Sequence, residues 1–419
     1  MAVEAARDAL SGRAGAECDL YLATTSPAYL DKTNASTVHT ALGLEGRGFA
    51  ADLAGSARSG VAALRAAANG GGLAVVSDVR TGLPGSQDES NGGDGAAAFL
   101  FGDGAQPIAH VITFASETVE ALDRWRTPHD SFAQTWEERF GYEVYAPLIA
   151  RVARRALDNA GIRAADHVRV VSPNSAIRKK AASLISGAST TAGSPIGHSG
   201  AADIGLALAD ALDAAQPDQT ILVISAADGC DALVVHTTDA LTERRQRVAL
   251  ADRLTSGMPV PYTTYLSWRG FLERELPRRP EPDRPAAPPS ARADQWKFAF
   301  VGSRCTACGF VHLPPSRACR RCRSIDTMIA APLAHAKGTI ATFTIDRLAY
   351  SASPPLMEAV IDFADGGRYT LEVADTDPEQ LRVGLDVEVV FRRLFTAGGV
   401  HNYFWKARPI PVPGVTDGQ

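Results

Sequence analysis

Four of the six cysteines in this 419-residue sequence stand at Cys305, Cys308, Cys319 and Cys322, two Cys-x2-Cys pairs separated by ten residues. Each pair can place two thiolates on a tight knuckle, the first turned with the help of Gly309, and two knuckles supply the four tetrahedral sulfur ligands of a structural zinc. A single pair followed by a helix would point to thiol redox chemistry; the second pair argues against it. Four thiolates close the coordination sphere, which leaves no open position for metal catalysis. Six cysteines in a chain this long do not make a disulfide scaffold. Cys18 opens a strand-like run and Cys230 follows one. Neither begins a helix, where a thiol gains thiolate character, so both read as small core residues.

Arg304, Arg317, Arg320, Arg321 and Arg323 make the cysteine-rich segment basic. Three readings stay open: nucleic-acid binding, a solvated face that offsets the charge of four thiolates, and a cradle for the phosphates of a large anionic cofactor such as coenzyme A, with Arg317, Arg320 and Arg321 as its cations. The formal net charge of −5 argues against bulk nucleic-acid binding. No apolar stretch is long enough to cross a bilayer and no signal-peptide pattern opens the chain, so the sequence predicts a soluble, cytoplasmic protein without membrane partners.

The elements that must position these groups fall into two parts. Residues 276–296 are rich in proline and charge and read as an extended linker. Before them, in 1–275, two runs repeat one another at an offset of about 140–150 residues, far beyond a solenoid period. The first is helix (AVEAARDALSG), strand (CDLYLATTSP), helix (NASTVHTALGL), helix (GSARSGVAALRAAA), strand (GGLAVVSDVR). The second is helix (LIARVARRALDNAGI), strand (DHVRVVSPNS), helix (IRKKAASLISG), helix (GHSGAADIGLALADAL), strand (QTILVISAADG). In both, a strand ends in Ser-Pro (Ser26-Pro27, Ser172-Pro173) and a later helix opens beside Ser-Gly (Ser59-Gly60, Ser199-Gly200). The pattern predicts two similar α/β halves, about 1–109 and 110–275, with helices covering parallel sheets. After the linker come the zinc ribbon, 297–328, and five strand-like runs within 329–419 (GTIATFTIDRL, LMEAVIDFADG, RYTLEVAD, DVEVVFRRLF, HNYFWKARPI) that suggest a small OB-type barrel.

The C-terminal part resembles the zinc-ribbon/OB-fold family associated with acyl-CoA enzymes, through RCTACG, the LPP before the second knuckle, CRRC, GTIATFT, PPLMEAVIDF, VGLDVEVVFRR and YFWKARP, from about Gly302 to Pro411. The body resembles the hydroxymethylglutaryl-CoA synthase branch of the thiolase superfamily, itself similar to ketoacyl synthase III. The carrying segments are ATTSPAYLDK, FAADLAGSARSGVAAL, VVSDVR, GGDGAAAFLFGDG, ALDRWRTPHDSFAQTWEERF, VVSPNSAIRKKAASLI and ILVISAADGCDAL, spread from Ala2 to about Glu275. Together they imply a duplicated α/β/α/β/α body with its active site between the halves, fused to a zinc ribbon and OB barrel that handle acyl-CoA rather than nucleic acid.

That family's chemistry uses a cysteine nucleophile at a helix N-terminus, with a histidine and a second polar residue forming an oxyanion hole. The nucleophile motif, Asp-Leu-x-x-Ala-Cys-Lys-Ala-Gly, corresponds to Asp52–Gly60, which puts Ala57 at the cysteine. Ser56 precedes that position and reads as a helix cap or as a replacement nucleophile. The histidine of a His-x-Pro-Asn-like segment corresponds to Ser172, and a Gly-Asn pair to Gly197-His198, which makes His198 the surviving acid/base candidate. A strand, a loop and a helix normally precede the segment matching AVEAARDAL, the strand lying centrally in the first sheet; the resemblance implies either a rebuilt first half or a working protein that starts upstream. The implied activity is aldol or retro-aldol chemistry on an acyl-CoA, or an acyl-carrier-type thioester, without covalent acylation. The alternatives are a non-catalytic subunit of a thiolase-like complex and a conventional acyltransferase with a repositioned nucleophile. The implied assembly is a homodimer, or a heteromer with a thiolase-like protein.

Overall fold

A computed structural model describes the chain except for residues 11–16, 45, 103–105, 186–189, 193–195, 276–278, 352 and 411–419. It divides into two compact units, residues 1–39 with 44–257, and residues 258–419 with the short stretch 40–43. The first unit contains β1 (Leu20–Thr24), β2 (Ala50–Ala54), β3 (Gly72–Asp78) and β4 (Gly95–Phe101), then β5 (Ala109–Thr118), a small ribbon of β6 (Arg124–Trp125) and β7 (Gln134–Thr135), and β8 (His167–Val171), β9 (Thr190–Ala192), β10 (Thr220–Ala226) and β11 (Gly229–Thr237). The strand orders are β2-β1-β3-β4 and β9-β8-β10-β11-β5. The duplication inferred from the two runs is thus real: in each half the first three strands are parallel and the next is antiparallel.

One expectation is corrected here. The strand expected at the centre of the first sheet corresponds in the second half to β5, which lies at the edge, paired antiparallel with β11. A sheet lacking that strand keeps its parallel core, and among the described residues β4 is the edge of the first sheet.

The helices of this unit include α1 (Ala2–Leu10), α2 (Ala35–Ala41), α3 (Ser59–Gly70), α4 (Gln87–Asn91), α5 (Glu138–Ala160), α6 (Ser175–Leu184) and α7 (Asp203–Ala214). Strand alternation explains the layers. Ile221, Val223, Leu233 and Val235 pack with α3 and α7 in one core cluster, which also takes Ala23 and Val76 from the first sheet. Their neighbours Leu222, Ile224, Ala232 and Val234 point the other way, onto Tyr145, Ile149 and Val152 of α5 and Ile177 of α6. Both faces of the second sheet are buried, which is why its strands read as continuous apolar runs. α7 is buried nearly all round, from Asp203 through Ile204 and Leu206 to Leu212, as a helix between two sheets must be.

In the second unit β12 (Val301–Cys305), β13 (Val311–His312) and β14 (Met328–Pro332) form the ribbon sheet. β15 (Lys337–Asp346), β16 (Leu356–Phe363), β17 (Arg368–Glu372), β18 (Asp386–Ala397) and β19 (Val400–Pro409) follow in the order β17-β16-β15-β18-β19. A Val373–Ala407 bridge and an Ala374 N–H donating to Ala407 O at 2.8 Å link the two edges into a barrel. The division between units falls after Gly257, earlier than the expected 275. The proline-rich stretch also departs from an extended linker, for it carries short helices at Ala287–Arg292 and Asp294–Ala299. Pro288 and Pro289 occupy first-turn positions, where a missing N–H costs nothing. Trp296 then packs on Phe300, Tyr369 and Phe404 at 5.0–5.3 Å. The first three residues of that stretch and the last nine of the chain lie outside the described residues.

Candidate active site

The two Ser-Gly signals meet where the halves touch. A Cβ on Gly60, in the first turn of α3, would lie 2.1 Å from Ala201 O, and one on Gly200 (φ +62°) would lie 2.0 Å from the Asp78 carboxylate. Only hydrogen fits at either place. Asp78, buried at the end of β3, accepts from Thr24 Oγ1 (2.7 Å), Thr25 N and Oγ1, Ser26 N and Oγ, and Ala201 N (2.6 Å). One carboxylate therefore ties the ends of β1 and β3 to the turn that leads into α7.

His198 sits just before that turn. Its backbone is held against the first half by His198 N donating to Asn91 O (2.7 Å) and Gly93 N donating to His198 O (3.2 Å). Its Nδ1 lies 2.6 Å from Asp203 Oδ2, and Asp203 Oδ1 accepts from Ser199 N (2.6 Å) and Ser199 Oγ (2.7 Å). Both members of this dyad are buried, at 5% and 4% exposure. Burial pulls the imidazole below its ordinary value, with Asp203 pulling the other way and Arg80 and Arg124 opposing protonation. Burial works to raise Asp203, but His198 and the Ser199 donors outweigh it and hold the carboxyl below the ordinary range. The resting pair is a neutral imidazole with its proton on Nδ1, donated to an ionised carboxylate. Nε2 is then the basic atom.

His198 lines a cleft of about 450 Å³ whose wall also carries Asp88, Arg124, Asn174, Ser175 and Arg178. Arg124 clasps Asp88 through two bonds of 2.8 and 2.7 Å; burial would raise the Asp88 carboxyl, and this pairing holds it down instead. Asp123, also on the wall, is pushed up by burial while accepting from Tyr145 Oη at 2.9 Å. Leu83, Phe132, Ala133, Trp136 and Pro173 line it beside these charged and polar groups, so the wall is mixed rather than purely polar.

Of the candidates from sequence, His198 is the one on this cleft. Ala57 and Ser56 precede α3 and are not among its lining residues; the Ser56 hydroxyl accepts from Arg58 N at 3.2 Å, a local turn contact. Arg58 reaches across to Asp231 (2.8 and 3.1 Å), Thr118 Oγ1 and Asp228 O, and so braces the two halves. Ser172 is buried, donating to Ala226 O (2.7 Å) and accepting from Asn174 N (3.1 Å), a backbone brace at the β8–α6 turn. Counted back from Pro173 in a His-x-Pro-Asn pattern, the histidine place is Val171, an apolar core residue. Cys230 is fully buried with its thiol pushed up by burial, and Cys18 is pushed up for the same reason. Sequence reasoning missed Asp203, although it lies five residues after His198 at the start of an apolar helix. It also missed Asp88, Arg124 and Arg178, which carry no spacing signal because three separate segments supply them.

In the second unit the Cys305, Cys308, Cys319 and Cys322 sulfurs all lie within 4.8 Å of one another, with 305–322 at 3.7 Å and 308–319 at 3.5 Å. Four sulfurs each about 2.3 Å from a tetrahedral zinc would be spaced similarly, so the donor set fits a structural zinc. Ser324 Oγ lies 3.2 and 3.1 Å from the Cys305 and Cys322 sulfurs, an outer-shell partner for both. Arg317 is taken up by Asp326 in two 2.7 Å bonds, while Arg320 and Arg321 are exposed. No helix among the described residues is long and apolar enough to cross a membrane.

Comparison with known proteins agrees with this fold and with the zinc-ribbon and OB-fold units. Residues 298–326 match the family described as the ChsH2 rubredoxin-like zinc ribbon domain, and residues 332–392 the ChsH2 C-terminal OB-fold domain. A hydroxymethylglutaryl-CoA synthase of Archaeoglobus fulgidus is 28% identical over 289 residues, covering 64% of this chain and 83% of the relative. A DUF35 domain-containing scaffold protein of Methanocaldococcus jannaschii is 32% identical over 119 residues, covering 27% of this chain and 84% of the relative. Among solved structures, an HMG-CoA synthase crystallised with CoA superposes with a TM-score of 0.53 at 16% identity, over 66% of this chain and 80% of the other. PksG, an HMG-CoA synthase from Bacillus subtilis, gives 0.51 at 17%, over 64% and 76%.

Proposed function

We propose that this chain, whose body is similar to hydroxymethylglutaryl-CoA synthases and whose C-terminal unit matches zinc-ribbon and OB-fold domains, makes or breaks a carbon–carbon bond in an acyl-CoA without forming an acyl-enzyme. The observation that carries this reading is the buried His198–Asp203 dyad on an open cleft, in a chain with Ala57 where the resembled motif has cysteine. In the cleavage direction His198 Nε2 removes the proton from the hydroxyl of a 3-hydroxyacyl thioester. The O–H electrons form the new C=O, the C2–C3 bond breaks, and its pair becomes the thioester enolate. A carbonyl compound departs, and the imidazolium returns its proton to C2, giving the shortened thioester. Asp203 holds the imidazole in the correct tautomer and stabilises its charged form.

Zinc, held by Cys305, Cys308, Cys319 and Cys322, supplies folding energy to the ribbon and no chemistry to the cleft. An open cleft with charged walls favours an enzyme over a non-catalytic subunit, and a serine turned into its own backbone at Ser56 favours neither an acyl-serine nor a conventional transferase. The test is incubation of the full chain with 3-hydroxyacyl-CoA thioesters of graded chain length, followed by mass spectrometry of products and of intact protein. The reading requires a shortened acyl-CoA, a carbonyl co-product and no acyl adduct. Absence of both turnover and binding across such a series overturns it.

A further inference from the structure

Any thioester enolate formed in this cleft needs donors for its oxygen, and the positions that provide them in the resembled family have changed. One place is Val171 or, in the shifted register, the braced Ser172; the other is His198, whose Nδ1 is committed to Asp203 and whose Nε2 serves as the base. Of the cations on the cleft wall, Arg124 is committed to Asp88 through both terminal nitrogens. Arg178 differs. Among the described residues its side chain makes one hydrogen bond, from Nη1 to Ser172 O at 3.3 Å, while Nε and Nη2 have no hydrogen-bond partner and no carboxylate forms an ion pair with it.

Its placement breaks a local rule. Arg178 lies in the first turns of α6, four residues past the capping Asn174, and no acidic residue occupies the first turn. A cation at the positive end of a helix dipole is unfavourable, and burial also works against the guanidinium, pulling its pKa down. Asp203, Glu138 and Asp88 favour its charge from a distance, but among the described residues none pairs with it directly, and a half-buried guanidinium left without a direct partner signals a functional use. The site is also rigid. Asn174 Oδ1 accepts from Ala176 N and Ile177 N to cap the helix, and Ser172 is pinned to Ala226 O.

We propose that Arg178 is the catalytic residue that holds the thioester oxygen, replacing the family's oxyanion hole with a guanidinium that pairs with the enolate oxygen as C2 becomes carbanionic. This rests on the reading of the cleft as an acyl-CoA site worked by His198. Charge-assisted hydrogen bonds from a partly desolvated arginine strengthen as negative charge develops, so the contact acts on the rate more than on ground-state binding.

The experiment uses the full zinc-loaded chain and two readouts: exchange of the acetyl-CoA C2 protons with D2O, followed by NMR, and turnover of the 3-hydroxyacyl-CoA identified above. Arg178→Ala is expected to lower both by about 100- to 1,000-fold with KM changed less than about fivefold. Arg178→Lys should recover part of the loss, and added guanidinium ion at millimolar concentration should restore the Ala variant's rate at least tenfold. Wild-type chain with neither activity sinks the reading of the cleft and this assignment with it. Active wild type with an equally active Arg178→Ala overturns the assignment alone. So does an Arg178→Ala variant that loses activity together with thermal stability and gains nothing from guanidinium, since that would make Arg178 structural.

Discussion

Asp203→Asn should disable the base while leaving the fold standing. The Asp203 carboxylate takes three bonds of 2.6–2.7 Å: one with His198 Nδ1 and two from Ser199. Asparagine keeps the shape but offers one carbonyl oxygen. If that oxygen stays with Ser199, the amide N–H faces Nδ1, and the imidazole proton must move to Nε2, the atom required to be a base. Loss of a positioned general base costs about 10²- to 10⁴-fold in kcat, and the analogous substitution in a serine-protease triad lies near the upper end. At about 1.36 kcal/mol per decade this is about 3–5 kcal/mol of transition-state stabilisation. Asp203→Ala should in addition leave two Ser199 donors and a buried imidazole without their acceptor, with about 3–5 kcal/mol lost from folding. The assay is kcat and kcat/KM from pH 5 to 9 beside thermal unfolding of both variants. Wild type should lose activity only on the acid side of the ordinary imidazole value of 6.5, because His198 is held below it. Removing Asp203, which raises His198, should move the remaining acid limb to lower pH. An Asp203→Asn variant with wild-type kcat and an unmoved acid limb would refute the dyad as the base.

Four further outcomes follow from the same geometry. Metal analysis should find one zinc per chain, and Cys308→Ser or prolonged chelation should release it and make the 298–332 region protease-sensitive, since apparent zinc-binding energies of about 10–16 kcal/mol are folding energy in such sites; a metal-free ribbon that resists protease would contradict this. Gly60→Ala puts a Cβ 2.1 Å from Ala201 O and 3.0 Å from Ile204 Cγ2, so stability should drop by about 1–3 kcal/mol, with kcat falling as the turn before Asp203 shifts; an unchanged melting temperature would show that the contact is not tight. Ala57→Cys should give no acyl adduct by mass spectrometry after acetyl-CoA incubation, because the histidine that the resembled motif uses beside its cysteine is replaced by Val171. Acid should weaken the fold in two stages. His198 and Asp88 both have folded values below their unfolded ones, so in each case the unfolded chain takes up the proton first as pH falls. The stability due to His198 declines below pH 6.5 and that due to Asp88 below 3.8, and loss of the first stage in His198→Gln during pH-dependent unfolding checks the assignment.

Some of this molecule could be read without coordinates because the relevant physics is short-range. Two thiol pairs three residues apart already contain knuckle geometry, and Cys305, Cys308, Cys319 and Cys322 gather as that spacing requires. Strand alternation from β15 to β19 and the repeated order of elements in the body survive in the sequence because periodicity and connectivity are local properties. Proline misled between 279 and 292, since the same residue that stiffens an extended spacer also opens a helix, and only packing of Trp296 into the barrel core shows that the stretch ends as a folded element.

The chemistry lay beyond local reading. His198 was visible as a candidate, but its neutrality and basic Nε2 depend on burial and on Asp203, whose carboxylate is oriented by the turn that Gly60 and Asp78 constrain from the other half. Arg124 and Asp88 are 36 residues apart and Arg178 is further still; the strand orders and the β8–α6 and Gly92–His198 junctions bring them to one cleft. Sequence by itself determined which elements form and where a metal is held, since those follow from spacing along the chain. Tertiary structure decided which charges share a wall and which stay unpaired, because electrostatic environment is set by neighbours that the backbone brings together only when the core closes.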